Sequence, residues 1–262
     1  MKKTASLVLF VLALLCLTGC GVLPRDLSPA VPISVTEAPE PENPFSKTGN
    51  TVTFGRYEQD GNDENGPEPI EWTVLEAEDE KALLISKYAL DSVPYHTEDT
   101  GITWENCSLR AWLNSDFIGT AFTPEEQNAI LVTDVDNGLL QCFSGWPTSG
   151  GNNTRDRIFL LSCAEAFRYF NVRHTTKEGA DQNVAARVSP TAYAVSKGAW
   201  FADYSKTAEG GDSGMWWLRS PGSFDREAAI VYHDGSLSSY YASGESFCVR
   251  PAFWISLELF PR

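Results

Sequence analysis

Ile70-Glu-Trp-Thr-Val-Leu75 and Ala82-Leu-Leu-Ile-Ser86 decide how the chain is read. In the first, apolar and polar residues alternate, the period of a strand with one buried face. The second is a short apolar run, as in a strand buried on both faces. Upstream, Thr51-Val-Thr-Phe-Gly-Arg-Tyr57 alternates like the first. Asp60-Gly-Asn-Asp-Glu-Asn-Gly66 between them has turn composition. The three segments predict an antiparallel meander.

Helical signals follow. Thr103 to Asn114 places Leu109, Trp112 and Leu113 on one face. Thr123-Pro124 pairs an N-cap with proline at the first helical position, predicting a helix to about Asn128. Ile130 to Thr133 and Arg157 to Leu161 read as strands. Ser162 and Glu165 form a capping-box pattern for a helix reaching Phe170. The Gly-, Asn- and Ser-rich stretch from Asn137 to Thr154 reads as a loop. Four more strands are expected: Met215–Arg219, Ala228–His233, Leu237–Tyr241 and Cys248–Ile255, with His233-Asp-Gly-Ser236 as a hairpin turn. The expectation is one α+β domain over residues 50–262, with mixed, mainly antiparallel sheets and two or three short helices.

The N-terminus has another character. Lys2 and Lys3 precede an apolar run from Ser6 to Leu17, which ends in Leu17-Thr-Gly-Cys20. That run is shorter than the ~20 residues of a spanning helix and has the layout of a secretion signal. Leu-Thr-Gly-Cys resembles the lipobox of bacterial lipoproteins. The resemblance implies cleavage after residue 19, a diacylglycerol on Cys20, and a bilayer partner at the extracytoplasmic face of the membrane. Pro29-Ala-Val-Pro-Ile-Ser-Val-Thr-Glu-Ala-Pro-Glu-Pro-Glu-Asn-Pro44 is too rich in proline and acid to fold alone, so residues 20–49 read as a lipidated tether.

Net charge is −15, and loss of a signal with two lysines and no acid makes it −17. Such a surface repels nucleic acid and anionic headgroups, so attachment to a membrane falls to the lipid. Eight Trp, nine Tyr and fourteen Phe argue against disorder. Beyond Cys20 there are Cys107, Cys142, Cys163 and Cys248, which allow three pairings or buried free thiols.

Six motifs carry a family resemblance: Trp72-Thr-Val-Leu75, Ala82 to Asp91, Thr103 to Asn114, Phe159-Leu-Leu-Ser162, Trp217-Leu-Arg-Ser-Pro-Gly222 and Val249-Arg-Pro-Ala-Phe-Trp-Ile255. In this order they resemble domain-of-unknown-function family 6273, over residues 50–256. That resemblance implies no activity. The late Trp-Leu-Arg-Ser strand, Gly-containing hairpin and Val-Arg-Pro strand also resemble formylglycine-generating-enzyme-like and C-type-lectin-like domains. This implies twisted antiparallel sheets with two short helices. Those enzymes use two neighbouring cysteines near the C-terminus, whereas only Cys248 stands there in this chain.

Candidate ligand residues are Arg110, Arg219 and Arg250, each set among aromatics, with Trp104 and Trp217 beside the first two. Such arginines either line a pocket for a sugar or anion or brace the fold. Trp146, Trp200, Tyr240 and Tyr241 fall in or near loops and could stack on a sugar or fill the core. Asp60-x-Asn62-x-Glu64 has calcium-loop spacing, but Asn65 replaces the required glycine, and Pro67 and Pro69 break the exiting helix. Asp134-Val-Asp-Asn137 is a second such stretch. His96, His174 and His233 form no zinc motif, and no cofactor motif occurs. Gly-Asp-Ser213-Gly has the look of a serine-protease segment without the matching His and Asp contexts.

The leading expectation is therefore a membrane-anchored extracytoplasmic binding module for a glycan or cell-wall polymer. The alternatives are an enzyme using Cys248 or Ser213, and a scaffold that binds another envelope protein.

Overall fold

The alternating segments become the strands they predict. In the computed structural model, which describes residues 43–138, 148–173 and 183–260, strands β1 (Thr51–Tyr57), β2 (Glu68–Ala77) and β3 (Lys81–Ser86) form the antiparallel meander. Val52, Phe54 and Tyr57 of β1 and Ile70, Trp72 and Val74 of β2 are buried. The indole N–H of Trp72 donates to the Phe54 carbonyl at 2.7 Å, which satisfies the only polar group of a fully buried ring. Gly55 sits at φ +70° where the β1–β2 register shifts, and a Cβ there would lie 2.6 Å from the Phe122 ring. Only glycine fits that bulge.

Strand β4 (Asp91–Ser92) follows. Then come a 3-10 turn at Trp104–Asn106 and α1 (Ser108–Trp112). The helix does not stop near Asn114. It continues through a π turn, Leu113–Phe117, into α2 (Ile118–Ala121), burying Leu113, Phe117 and Ile118. Helix α3 (Pro124–Ala129) starts on Thr123, whose hydroxyl accepts from Glu126 N while Glu126 caps the Thr123 N–H.

The strands predicted at Ile130–Thr133 and Arg157–Leu161 are displaced. The ladder forms instead between β5 (Thr133–Val135) and β6 (Thr154–Asp156). Ile158 to Leu161 are buried, but side chains supply much of their backbone pairing. Asn114 accepts from the amides of Arg157 and Ile158 at 2.9 and 3.1 Å, and Arg219 donates to Leu160 O at 2.8 Å. Helix α4 (Cys163–Phe170) carries the expected Ser162–Glu165 capping box.

Helix α5 (Ala192–Ser196) and the hairpin β7 (Phe201–Lys206) with β8 (Asp212–Gly214) carry no clear sequence pattern. Strands β9 (Trp216–Pro221), β10 (Glu227–Val231) and β11 (Leu237–Tyr241) follow, the last two joined by the predicted turn with Gly235 at φ +86°. The segment expected as one strand from Cys248 to Ile255 is two: β12 (Cys248–Val249) and β13 (Ala252–Ser256). Pro251 has no N–H for a ladder, and the strand changes sheets at that point.

Two sheets result. One runs β1-β2-β3-β13 and is antiparallel throughout. The other runs β11-β10-β9-β12-β4, with only β9 and β12 parallel. The fold is α+β, with mainly antiparallel sheets and short helices. Arg250-Pro251 is the joint between the sheets. At the start of the described chain, Phe45 is buried against Phe54 and Phe260, so packing begins just after Pro44, within residues 20–49. No helix among the described residues is long and apolar enough to cross a membrane.

Candidate functional site

The three arginines marked by aromatic neighbours take three different environments. Arg110 on α1 donates from Nε to Asp156 Oδ1 at 2.7 Å and from Nη1 to Glu105 O at 2.8 Å. The other oxygen of Asp156, Oδ2, accepts from Trp104 Nε1 at 2.9 Å and Thr154 Oγ1 at 2.7 Å. Asp156 is buried, so one acceptor-only group ties two donors of the 104–112 helical stretch and Thr154 of its own strand together. Arg219 on β9 forks onto Glu165 through both Nη atoms, and also donates to Leu160 O and Asp136 O. It lines a cleft of about 20 Å³ with Asp136, Asn137 and Ser220, room for roughly one water. These two arginines hold the loop-rich middle of the chain against α1, α4 and β9.

Arg250 differs. It is buried at the joint between the sheets, and Nε donates to Ser86 O at 3.0 Å. Nη1 is buried, and among the described residues it has no hydrogen-bond partner and no carboxylate pairs with the guanidinium. Phe170 and Trp216 each lie with their ring centres 5.0 Å from its central carbon. Burial pushes its pKa down to about 9, which leaves it charged at neutral pH. Arg250 lines a cavity of about 190 Å³ with Lys87, Tyr88, Phe170, Arg187 and Glu209. Lys87 reaches Glu71 at 3.2 Å and Glu209 at 3.5 Å, and these partners hold its pKa above the usual lysine value against the opposing effect of burial. Arg187 donates only to carbonyls, Lys206 O at 2.9 Å and Asp234 O at 3.2 Å.

Through those two carbonyls Arg187 joins the cavity to an aromatic surface. Trp200, Tyr204 and Tyr232 surround His233, with ring centres 5.6, 5.2 and 4.2 Å from the imidazole. Tyr204 is 73% exposed, and its hydroxyl lies 3.4 Å from His233 Nε2. Burial pushes the His233 pKa down, so the ring is neutral at pH 7, and its Nδ1 is buried without a partner. At the other end of the β10–β11 hairpin, Tyr240 and Tyr241 are also exposed, with Arg226 stacked 5.2 Å over Tyr241.

The remaining sequence candidates fall as follows. Trp104 and Trp217 are buried and present no face to solvent; Trp217 Nε1 donates to Val93 O. Trp104, Arg110 and Arg219 therefore belong to braces, Tyr240 and Tyr241 to a surface, and Arg250 to a cavity. Cys20, Trp146, Cys142 and His174 lie outside the described residues. Ser213 is buried, and its hydroxyl reaches only the Gly214 carbonyl at 3.5 Å. Cys248 is a buried free thiol pushed up to about 12 by burial. Neither has a base beside it among the described residues. Cys107 is likewise buried and free, while Cys163 is disulfide-bonded to a partner outside the described residues. Carboxylate oxygens of Glu58, Asp60 and Glu68 lie within 4.8 Å of one another, but each accepts backbone N–H bonds of the turn.

Lys87, Arg187 and Tyr204 were not singled out from sequence, and no local signal marks them. They meet Arg250 and His233 only through the packing of β3, the Val184–Ala186 turn and β7.

Fold and site define a small α+β domain with a cationic cavity at the sheet joint and an aromatic surface beside it. The chain belongs to the family described as Domain of unknown function (DUF6273), whose model matches residues 79–257. That range contains five of the six motifs and begins after Trp72-Thr-Val-Leu75. No curated protein and no solved structure matches the chain.

Proposed function

We propose that this protein is a lipid-anchored, extracytoplasmic binding module with a C-type-lectin-like domain, and that its ligand is a glycan or cell-wall polymer. One observation carries the reading: Trp200, Tyr204 and Tyr232 stand exposed around a neutral His233. Exposed aromatics in a group are not required by the fold, and they mark contact surfaces. Flat rings with a polar edge suit sugars, which offer an apolar face and hydroxyls. The pairing of the C-terminal strand β13 with the N-terminal meander supports the lectin-like comparison. The Leu-Thr-Gly-Cys20 segment supports the anchor.

The test is retention on isolated cell-wall material together with a glycan array. Wild-type protein binds, and Tyr204→Ala, which removes the most exposed ring, weakens binding about tenfold, the effect of ~1.4 kcal/mol. A folded wild-type sample that binds neither material refutes the glycan reading. Cys20→Ala should move the protein from membrane to soluble fractions; persistence in the membrane refutes the anchor.

A further inference from the structure

We infer that the cavity at the sheet joint is a carboxylate-binding site, with Arg250 as its principal contact. The inference extends the binding-module reading by naming the charged group the ligand carries.

The first support is the contrast among the arginines. Arg110 and Arg219 are each neutralised by an acid, Asp156 and Glu165. Arg250 is buried with one neutral acceptor, Ser86 O. A buried charge without a counter-charge is costly, and folds ordinarily neutralise it. Arg250 Nη1, and Ser86 Oγ on the residue whose carbonyl Arg250 binds, are buried with no partner among the described residues. Unsatisfied groups in native folds are few, and one on Arg250, a residue of the cavity wall, calls for a functional explanation.

The second support is the charge of the walls. The chain as a whole is strongly acidic, at −15. Yet Lys87, Arg187 and Arg250 line this cavity; Lys87 is paired with Glu71 and Glu209, so the two arginines carry the excess positive charge. Among the described residues Arg187 has no acid partner either, since both of its bonds go to carbonyls. Low-dielectric walls concentrate such a field on a bound anion.

The third support is shape. With Nε held by Ser86 and rings of Phe170 and Trp216 nearby, the guanidinium is fixed in orientation. Nη1 and Nη2 carry its remaining donors; Nη1 is buried, so a small shift of the head group would turn the planar fork to a ligand, and a fork matches a carboxylate better than a spherical ion. A volume of about 190 Å³ is below the ~300–1,000 Å³ of drug-sized pockets. It suits one acidic residue or one acidic sugar unit, with Tyr88 and Phe170 as apolar walls.

Calorimetric titration of the full-length protein tests this with sodium glucuronate, glucose and inorganic phosphate. Glucuronate differs from glucose by one carboxylate in place of a hydroxymethyl group. It should bind with Kd below about 1 mM, and glucose at least ~10-fold more weakly. Arg250→Lys keeps the charge but loses the fork, and should weaken glucuronate about tenfold. Arg187→Gln, at a half-buried wall position, should weaken it several-fold; it serves as the second variant if Arg250 substitutions fail to fold. Three results overturn the inference: glucuronate binding no better than glucose, phosphate binding while glucuronate does not, or wild-type affinity in both variants. Neutral-glycan binding lost in Tyr204→Ala but kept in Arg250→Lys speaks to the aromatic surface alone, so the two readings can fail separately.

Discussion

Removing the carboxylate of Asp156 should unlock the middle of the domain. Three donors converge on this buried group: Arg110 Nε at 2.7 Å, Trp104 Nε1 at 2.9 Å and Thr154 Oγ1 at 2.7 Å. In Asp156→Ala the indole N–H of Trp104, a fully buried ring, loses its acceptor, which costs about 1–3 kcal/mol. Breaking a buried ion pair costs about 3–5 kcal/mol, but Arg110 keeps 26% of its side-chain surface and can recover some hydration. The Thr154 hydroxyl can rotate toward another acceptor. Because the terms overlap, the total is about 3–5 kcal/mol. For a domain of this size that is a fall in Tm of ~10 °C. Asp156→Asn should not rescue it. The amide offers one acceptor oxygen, and its NH₂ would confront either Arg110 or the Trp104–Thr154 pair. Urea melts of both variants, with m unchanged and the midpoint lowered, are the assay. A double-mutant cycle with Trp104→Phe should give a coupling of ~1–2 kcal/mol. A loss under ~1 kcal/mol in Asp156→Ala, or zero coupling, would refute the view that Asp156 is a hub.

Thiol chemistry and pH give two further checks. In the native protein iodoacetamide should label neither Cys107 nor Cys248, since both are buried and their thiols are pushed up to about 12; labelling should require denaturant, and Cys163 should require a reductant as well. Native-state modification at Cys248 would contradict its burial. Asp91 is raised chiefly by burial, against opposing bonds from Tyr57 (2.6 Å) and Ser92 N. The folded state therefore holds the Asp91 proton to higher pH than the unfolded state, whose value is about 3.9. Its contribution to stability grows as pH falls through the raised folded value toward ~4, and is lost as pH rises. Stability of wild type relative to Asp91→Asn should decline from pH 4 to 7 in urea melts, and an increase would count against the assignment.

What could be read in the chain was local. β1 and β2 bury one face, so their alternation shows; the Ser162–Glu165 and Thr123–Pro124 signals mark helix starts through bonds within four residues. β7 was not legible because its aromatics face solvent: Phe201 and Tyr204 are exposed while Ala202 and Ser205 are buried, the reverse of the usual pattern. The apolar run at Ile158–Leu161 looks like a strand because it is buried, yet Asn114 and Arg219 take over hydrogen bonds a neighbouring strand would supply. Site residues were visible only as types. Arg110, Arg219 and Arg250 share the same aromatic flanks, and what separates them is a carboxylate 46 or 54 residues away, or none. No sequence window holds that information.

The position of Arg250 follows from the residue after it. Pro251 cannot donate to a ladder, so the segment leaves the five-stranded sheet at Val249 and enters the four-stranded sheet at Ala252. The joint is still held by its carbonyls: Val249 O accepts from Leu90 N and Pro251 O from Ser86 N, each at 3.0 Å. The backbone there is secured without the Arg250 head group, whose one bond to Ser86 O, from a charged donor, adds about 1.5–3 kcal/mol to a joint already closed. A methionine could fill the space between Phe170 and Trp216 without burying a charge. Phe170 and Trp216 over the guanidinium offset part of the several kcal/mol that burying its charge costs, so stability alone does not single out arginine at this point. Acids outnumber bases 35 to 20 in this chain, so a carboxylate partner would be easy to supply, as it is for Arg110 and Arg219. A charged fork with no carboxylate partner among the described residues, in a cavity wall that it shares with Arg187, is the arrangement expected where the neutralising group arrives with a ligand.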